Sequence, residues 1–382
     1  MTGRPFLLDV SRLVWRVWQG RRPTGVDRVC LAYLDRFADR SQAVLQRGDR
    51  RVVLSPRLSD ALFALLKRGG RRFRIAFPAI LTAGIISAER RDLAGRIYLN
   101  VGHTGLDAAG LPAWTARTGV KPVYLVHDLI PIIHPRFGRA GEAARHARRM
   151  RHALASAAGI IANSAATLAD IEAFAAAQNL AMPPAIAALL GADMPAAAVR
   201  AVPVRTRFVC IGTIEVRKNH LLLLRVWQRL IAKLGAQAPE LILIGQRGWE
   251  ADDVFALLDG DANLRSHVRE LGRCDDGEML ALLAGARALL MPSLAEGYGI
   301  PVVEALQQGT PVLAADLPVY RELAGDIPEY LDPQDVGAWE AAVLTFMEDG
   351  PRRDRQLAAF PHWQPPGWAA HFAQVEEFLA GL

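Results

Sequence analysis

The chain has 382 residues, which is more than one hydrophobic core usually organises, and 51% of them are hydrophobic. Its formal net charge is +6, and its three cysteines, Cys30, Cys210 and Cys274, are too few and too scattered to predict a disulfide framework or a zinc site. Apolar runs stay below the roughly 18 residues of a membrane span, and the first residues lack the pattern of a signal peptide. We therefore expect a two-domain cytoplasmic protein.

Apolar runs of strand length alternate with amphipathic segments, which favours parallel sheets covered by helices on both faces. The first series of predicted strands comprises residues 6–10, 52–55, 97–101, 123–127 and 159–162. The second series comprises residues 208–212, 241–245, 268–271, 288–291 and 312–315. Proline-containing segments at 182–184 and 194–203 predict a linker between the two series. The sequence thus predicts an α/β protein of two Rossmann-like domains, residues 1–198 and 204–360, that face each other across a cleft.

Polar side chains accompany glycine in two loops of the predicted first domain. One loop reads Arg-Pro-Thr-Gly-Val-Asp-Arg at residues 22–28, and the other reads Asn-Val-Gly-His-Thr-Gly at residues 100–105. Each pattern fits a ligand-binding loop and fits equally well a turn followed by a helix cap. The residues alone leave both interpretations open.

Two further polar pairs follow strands of the same predicted sheet. His127 ends the strand at 123–127, where it either faces a ligand or is satisfied by backbone groups. Asp128 either reaches the ligand or caps the next turn. Asn163 and Ser164 also end a strand, and we expect them to cap the following helix.

The basic excess is concentrated in residues 67–74 and 139–151. The second stretch can be helical and combines arginines with Met150 and Leu154, which suits an anionic lipid leaflet, although a solvated helix face fits it equally well. No ladder of aromatic residues is interleaved with the cations, and no zinc or helix-turn-helix spacing occurs. We expect no nucleic-acid partner.

A predicted buried strand at residues 207–213 runs into a polar segment and then into an apolar helix from Leu221. Cations that follow a strand of a parallel sheet lie at the edge where open α/β sheets bind ligands. Lys218 would meet a diphosphate there as a point charge. Arg217 either assists it or is a solvated surface residue.

The segment 294–304 reads Leu-Ala-Glu-Gly-Tyr-Gly-Ile-Pro-Val-Val-Glu and places two carboxylates around two glycines and a proline. The apolar run before it has strand length, while Pro301 and Glu304 suit the first turn of a helix. At such a turn the backbone amides point outward, and Gly297 and Gly299 let an anion approach them. Because a carboxylate on each side can accept hydrogen bonds from hydroxyls, the turn predicts a site for a sugar nucleotide.

These motifs resemble the donor site of retaining glycosyltransferases of family 4. The resemblance implies that Glu296 meets the donor sugar, Glu304 the ribose and Lys218 the diphosphate, while His127 approaches the sugar near the reacting carbon. His127, Lys218 and Glu296 are therefore the predicted catalytic residues. The remaining predicted donor-binding residues are Gly212, Thr213, Arg217, Gly297, Tyr298, Gly299 and Ile300. Thr213 departs from the family pattern, which often has an arginine at that position.

The two glycine-containing loops of the first domain resemble loops of family members that assemble bacterial surface polysaccharides. The resemblance implies that they bind acceptor hydroxyls or a lipid diphosphate. The predicted acceptor-side residues are Gly25, Asp27, Arg28, His103, Thr104 and Asp128. The resemblance also implies the glycosyltransferase-B fold, in which the last helix, here within residues 363–382, packs back on the first domain.

The resulting prediction is a retaining transferase that moves a hexose from a nucleoside diphosphate sugar to a hydroxyl of a saccharide or lipid-linked saccharide. Lys218, backbone amides and a helix dipole would stabilise the leaving diphosphate, so we expect neither a metal nor a cofactor. The aspartate pairs 252–253 and 275–276 fit helix starts better than a cation site. The basic stretches add an expected peripheral contact with the inner face of the cytoplasmic membrane.

Mannose from GDP-mannose is the predicted donor, because the first-domain loops resemble those of mannosyltransferases in exopolysaccharide or lipopolysaccharide assembly. Transferases that use dTDP-rhamnose or a UDP-sugar remain alternatives, as does a nucleotide-sugar epimerase. A nicotinamide dehydrogenase is disfavoured, because no G-x-G-x-x-G follows the first predicted strand.

Overall fold

The computed structural model describes residues 4–21, 25–86, 92–192, 206–272 and 274–382. The chain divides into two compact units. Unit 1 contains Met1–Ile133, Ala140–Leu190 and Trp368–Leu382, and unit 2 contains His134–Arg139 and Gly191–Gly367. The predicted linker segment 194–203 lies outside the described residues.

Unit 1 contains a seven-stranded sheet in the order β3-β2-β1-β4-β5-β6-β7. Its strands are β1 (Phe6–Asp9), β2 (Ser41–Arg47), β3 (Arg50–Val53), β4 (Ile97–Asn100), β5 (Lys121–Val126), β6 (Gly159–Ala162) and β7 (Ala185–Ala187). Neighbours pair in parallel except for β2 and β3, which form an antiparallel hairpin. The strand predicted at 52–55 ends earlier, at Val53, because Ser55 instead caps the next helix by accepting a hydrogen bond from the Leu58 amide.

Helices cover the sheet of unit 1. They are α1 (Ser11–Trp18), α2 (Gly25–Phe37), α3 (Pro56–Arg68), α4 (Gly70–Ile86), α5 (Gly110–Thr118), α6 (Ile130–Ile133), α7 (Glu142–Ser156), α8 (Ala165–Ala177) and α17 (Trp368–Ala380). In α17, His371 is buried and its Nε2 lies 2.9 Å from Tyr33 Oη on α2. The predicted last helix thus begins at Trp368, whereas Trp363 donates its indole N–H to Leu323 O in unit 2.

Unit 2 contains a six-stranded sheet in the order β10-β9-β8-β11-β12-β13, and all its neighbours are parallel. Its strands are β8 (Arg207–Ile211), β9 (Glu240–Ile244), β10 (Val268–Leu271), β11 (Ala288–Met291), β12 (Val312–Ala315) and β13 (Glu329–Leu331). The strand expected over 207–213 ends at Ile211, because Gly212 turns the chain with φ +150°. The two sheets confirm the predicted α/β architecture of two Rossmann-like domains.

The helices of unit 2 are α9 (His220–Leu234), α10 (Asp252–Gly260), α11 (Ala262–Arg265), α12 (Asp276–Ala284), α13 (Ile300–Gln307), α14 (Pro318–Ala324), α15 (Val336–Met347) and α16 (Pro351–Ala359). The aspartate pairs lie at helix starts as predicted, and Asp275 caps α12. Glu304 is in the second turn of α13, so its predicted place in the first turn is wrong. The buried indoles of Trp227 on α9 and Trp339 on α15 lie in the core of this unit.

The strand order fixes where loops from different parts of the chain meet. In unit 2 the chain runs outward from β8 to β9 and β10, and then returns to place β11 on the other side of β8. In unit 1 it runs outward from β1 to β2 and β3 before β4 pairs with β1. Such reversals create a crevice at the carboxyl ends of the two central strands, where open α/β sheets bind ligands.

Candidate functional site

The two predicted donor motifs meet at the strand-order reversal of unit 2. One follows β8 and the other follows β11, and these strands are neighbours in register Phe208 to Ala288. The Leu294 amide donates a hydrogen bond to Arg217 O at 2.8 Å, which ties the loops together. Motifs about eighty positions apart therefore form one site because the sheet brings their strands together.

Glu296 is the centre of this site. Its side chain is only 6% exposed, and Oε1 accepts hydrogen bonds from Lys218 Nζ at 2.5 Å and from Ser293 Oγ at 2.7 Å. Oε2 accepts one from Arg217 Nη1 at 2.9 Å. Burial by itself raises the pKa of Glu296, but the charges of Lys218 and Arg217 and the hydrogen bonds from Lys218 and Ser293 outweigh it and hold the pKa at about 2. Glu296 is thus an ionised, buried hydrogen-bond acceptor.

Arg217 connects the motifs through several contacts. Its Nη1 also donates to Ala295 O at 2.9 Å, and its Nη2 donates to Glu215 Oε1 at 2.6 Å. Glu215 is buried, and the Arg217 side chain is 21% exposed. The interpretation of Arg217 as a solvated surface residue is therefore wrong. Glu215 and Ser293 were not among the predicted site residues, although both lie within three residues of one.

Glycines let the loops after β8 and β9 approach closely. A Cβ on Gly212 would lie 3.1 Å from Lys218 Cε, so the absence of a side chain at Gly212 leaves room for the Lys218 side chain. A Cβ on Gly245 would lie 1.9 Å from Gly212 O, and one on Gly248 would lie 2.7 Å from the Thr213 methyl group. Gly245 and Gly248 were not predicted as site residues. Their only signal in the sequence was the end of a predicted strand at 241–245.

The turn from β11 to α13 carries the other predicted donor residues, Gly297, Tyr298, Gly299 and Ile300. Gly299 is the N-cap residue of α13, with φ +125°, and it has no side chain to cap the helix. A Cβ on Gly299 would lie 2.7 Å from Tyr320 Cε1. Burial, and then the charge of Glu296, raise the pKa of Tyr320, so its hydroxyl stays protonated beside the site. Glu304 is buried on α13.

His127, the predicted catalytic histidine, ends β5 in unit 1. Its Nε2 donates a hydrogen bond to Val101 O at 2.7 Å, and its carbonyl accepts one from Asn163 Nδ2 at 2.9 Å. Burial lowers the pKa of His127 to about 4, so the ring is neutral at pH 7. Since Nε2 carries the proton, Nδ1 holds a lone pair, and within the described part of the chain it has no hydrogen-bond partner. A backbone contact thus fixes the ring, as one interpretation held, and its second nitrogen remains an acceptor.

Of the two predicted residues in the loop after β4, His103 contacts His127. The His103 ring centroid lies 4.9 Å from that of His127, and His103 Nε2 accepts a hydrogen bond from the His127 amide at 3.3 Å. Burial, and then the neighbouring rings of His127 and His146, hold the pKa of His103 well below its ordinary value. Thr104 contributes its carbonyl, which accepts a hydrogen bond from Asn100 Nδ2 at 2.9 Å.

The other residues predicted on the acceptor side form contacts within their own turn or helix, or with a neighbouring helix. Asp128 Oδ1 accepts a hydrogen bond from the Ile130 amide at 3.1 Å, which is the turn geometry that the sequence left open. The Asp27 side chain is 1% exposed and lies 2.6 Å from Arg12 Nε and 2.9 Å from Arg16 Nε. Gly25 and Arg28 are in the first turn of α2, and residues 22–24 lie outside the described residues. An acceptor role for this group stays a prediction. Ser164 caps α8 as expected, whereas the side chain of Asn163 does not cap it and instead donates a hydrogen bond to His127 O.

Comparison with known proteins identifies what this chain resembles. Residues 201–359 match the family of glycosyl transferases group 1. The O-antigen chain mannosyltransferase B of Escherichia coli is 34% identical over 168 residues, which are 44% of this chain and 41% of that protein. The serotype-specific mannosyltransferase WbdA of Escherichia coli is 26% identical over 281 residues, which are 68% of this chain and 33% of that protein. The chain therefore spans less than half the length of either relative.

Solved structures share the fold along the whole chain. The crystal structure of HepE from Anabaena in complex with UDP-glucose has a TM-score of 0.68 at 16% identity and covers 99% of both chains. The sucrose-phosphate synthase of Thermosynechococcus elongatus has a TM-score of 0.62 at 15% identity, covering 99% of this chain and 98% of that one. These findings confirm the predicted glycosyltransferase-B fold and the resemblance to mannosyltransferases.

Proposed function

We propose that this chain, which resembles mannosyltransferases and carries a group 1 glycosyl transferase domain, is a retaining glycosyltransferase. It transfers a hexose, with mannose from GDP-mannose as the first choice, to a hydroxyl of a saccharide or lipid-linked saccharide in bacterial surface polysaccharide synthesis. The reaction uses neither a metal nor a cofactor. The enzyme works on the cytoplasmic side, in peripheral contact with the membrane that carries its acceptor.

The observation that carries the proposal is the buried carboxylate of Glu296 between Lys218 and Arg217 at the end of β11. A donor diphosphate takes over hydrogen bonds from Lys218, which leaves Glu296 to accept hydrogen bonds from the sugar hydroxyls. Lys218, Arg217 and the start of α13 then face the charge that develops on the leaving diphosphate. These fixed positive groups support a metal-independent departure.

In the proposed reaction, the bond between the acceptor oxygen and the anomeric carbon forms as the bond from that carbon to the diphosphate oxygen breaks. The acceptor attacks from the face that the diphosphate leaves, which retains the anomeric configuration, and an oxygen of the departing diphosphate takes the acceptor proton. Glu296 orients the sugar and is not a nucleophile. His127, neutral and with an acceptor nitrogen at Nδ1, can accept a hydrogen bond from a sugar hydroxyl.

The choice of mannose rests on the relatives, since both E. coli proteins are named mannosyltransferases. A UDP-sugar is the second candidate, because HepE, with the same fold, was solved with UDP-glucose. A dTDP-rhamnose donor and a nucleotide-sugar epimerase are the remaining alternatives.

The test is a thermal-shift panel of guanosine, uridine, thymidine and adenosine diphosphates and their sugars, with and without a chelator, followed by transfer assays. We expect GDP and GDP-mannose to raise the melting temperature equally in both conditions. Product analysis by NMR then reports the anomeric configuration. Loss of turnover with the chelator would overturn metal independence, an inverted product would overturn retention, and isomerisation of the donor without an acceptor would favour the epimerase.

A further inference from the structure

An uncharged stripe faces solvent on α4 of unit 1. It recurs at the spacing of one helix face and comprises Ile75, Pro78, Ala79, Thr82, Ala83 and Ile86. All six are exposed, and Ile75 and Ile86 are 69% and 81% exposed. The outer face of a surface helix normally carries charged residues, and contiguous exposed apolar patches mark interaction sites. We call these residues the α4 stripe.

The opposite face of α4 is packed into unit 1. Phe73 and Phe77 are buried and stacked, with ring centroids 5.2 Å apart. Gly84 is buried so closely that a Cβ there would lie 2.3 Å from Leu54 Cδ2. The helix thus already has an apolar face in the core, and the α4 stripe is a second, exposed one.

Cations adjoin the α4 stripe at its amino-terminal end. Arg71 and Arg72 continue the same face one turn earlier, and Arg74 follows them. Lys67 and Arg68 end α3, and Lys67 Nζ lies 2.6 Å from Asp35 Oδ1. All five are exposed, and α4 contains no acidic residue. Trp18, 39% exposed, lies edge-on to Phe77 at 6.0 Å. Tryptophan, whose indole has an apolar body and a polar N–H, is enriched at the boundary between lipid headgroups and acyl chains.

The other basic stretch of unit 1 lacks an apolar partner. On α7, Arg145, Arg148 and Arg151 are exposed, but Met150 and Leu154 are 1% and 6% exposed and belong to the core. The suggestion that these two apolar residues join the arginines on a membrane surface is therefore wrong. The helix α7 offers charge alone, whereas α4 offers charge and exposed apolar area together.

We propose that the α4 stripe inserts into the headgroup boundary of an anionic lipid bilayer, with the arginines of residues 68–74 on lipid phosphates and Trp18 beside them. This arrangement matches interfacial helices, which combine an apolar face with Lys and Arg. A second copy of the chain fits less well, because α4 has no carboxylate to meet the arginines of its partner. The inference rests on the lipid-linked acceptor of the proposed function and deepens it by naming the surface that meets the membrane. The vesicle-binding experiment that tests it needs neither donor nor acceptor.

The test is co-sedimentation of the full chain with vesicles of phosphatidylcholine alone and of phosphatidylcholine and phosphatidylglycerol in equal amounts. We expect binding to the anionic vesicles that weakens at high salt. The Ile75→Gln/Ile86→Gln variant, changed only at exposed positions, should lower the partition coefficient roughly tenfold or more. The Arg71→Ala/Arg72→Ala variant should lower it by roughly fivefold for each arginine. Arg148→Ala/Arg151→Ala is the control with the same loss of charge and should bind like the unchanged chain.

The proposal is overturned if Ile75→Gln/Ile86→Gln sediments like the unchanged chain, or if only Arg148→Ala/Arg151→Ala loses binding. It is also overturned by a dimer in sedimentation velocity that Ile75→Gln/Ile86→Gln converts to a monomer without any vesicle binding, since a second copy would then cover the α4 stripe. Turnover with a water-soluble acceptor should be equal in all these variants. A chain that binds vesicles but turns over no nucleotide sugar would instead refute the proposed function and leave this inference intact.

Discussion

Two pairs of loops occupy corresponding places in the strand order: those after β8 and β11 in unit 2, and those after β1 and β4 in unit 1. Each pair holds a buried carboxylate, but the pKa of the carboxylate is lowered in unit 2 and raised in unit 1. In unit 2, Glu296 is held ionised by Lys218 and Arg217, with a pKa of about 2. In unit 1, Asp9 at the end of β1 accepts hydrogen bonds from neutral groups, among them Tyr98 Oη at 2.7 Å, and burial raises its pKa to about 6. The first arrangement depends on ion pairs and the second on neutral hydrogen bonds.

The same strand order thus supports a network that can exchange a ligand in unit 2 and a network that holds the core together in unit 1. A charged ligand can replace one member of an ion pair, so the network around Glu296 can open for a diphosphate and close again. The network around Asp9 joins β1 to Gln46 of β2 at 2.8 Å and to Tyr98 of β4, and its exchange would cost hydrogen bonds in the core. We therefore expect substitutions around Glu296 to change ligand handling first.

Glu296→Gln should give the largest effect. The amide keeps the shape of the side chain but loses the charge that accepts hydrogen bonds from sugar hydroxyls, so we expect the rate of transfer to fall by about 10²–10³. Because Lys218 and Arg217 remain, the nucleoside diphosphate affinity should be nearly intact. Steady-state kinetics and calorimetry measure the two quantities. Glu348→Gln, at an exposed position, is the control, and a nucleotide affinity that falls together with the rate would contradict the proposed roles.

Lys218→Ala should give the reverse pattern. It removes the point charge that meets the diphosphate and leaves Glu296 with Arg217 as its remaining cation, so we expect the affinity for the nucleoside diphosphate to fall roughly a hundredfold. Titration calorimetry measures it. Lys233→Ala removes an exposed lysine from α9 of the same unit and should bind normally. An unchanged dissociation constant for Lys218→Ala would show that the diphosphate lies elsewhere.

The site in unit 2 was largely predictable because most of its polar residues lie in two short motifs of the sequence. Lys218 and Glu296 each follow an apolar run of strand length, and the parallel order of strands brings such ends together. The ion pair between Arg217 and Glu215 was not predictable, because no motif in the sequence marks Glu215 as a site residue. The second-turn position of Glu304 was also missed, since α13 begins at Ile300, before the proline.

The fold was predictable to the extent that strands are apolar and long. Strands at Gly159–Ala162, Val268–Leu271, Ala288–Met291 and Val312–Ala315 were predicted at their observed bounds. By contrast β2 reads Ser-Gln-Ala-Val-Leu-Gln-Arg, and its polar residues hid it although Ser41, Gln42 and Gln46 are buried. The strands β7 and β13 have three residues each, too few for a periodic pattern. Buried polar groups with tertiary partners are invisible to a local pattern.

Gly245→Ala tests whether the close approach of loops in unit 2 supports the ionic site. Its Cβ would lie 1.9 Å from Gly212 O, a backbone atom, so we expect the free energy of unfolding to fall by about 3 kcal/mol. Denaturant unfolding followed by tryptophan fluorescence, to which the buried Trp227 and Trp339 of unit 2 contribute, measures it. Gly260→Ala is matched, because its Cβ meets nothing within 4 Å. Equal stabilities of the two variants would mean that the loops can separate without cost.

His220→Leu should have the smallest effect at neutral pH. It tests a buried polar group that has neither the ion pairs of Glu296 nor the neutral hydrogen bonds of Asp9 in the part of the chain that the structure describes. His220 begins α9 and is buried, and within the described residues neither ring nitrogen has a hydrogen-bond partner. Burial, and then the charge of Lys218, lower its pKa from 6.5 to about 3. Removing an unpaired buried polar group costs no hydrogen bond, so we expect the stability at pH 7 to change by less than about 1 kcal/mol.

The pH dependence of that variant gives the sharper result. Because the folded pKa of His220 lies below its ordinary value, the unfolded chain binds more protons, and its contribution to stability is lost as the pH falls from about 6.5 toward 3. His220→Leu should therefore gain about 2 kcal/mol on the unchanged chain between pH 7 and about pH 5. His362→Leu, at an exposed position, is the control substitution. Parallel curves for His220→Leu and the unchanged chain would contradict the lowered pKa and would mean that a partner stabilises the protonated His220 ring in the folded protein.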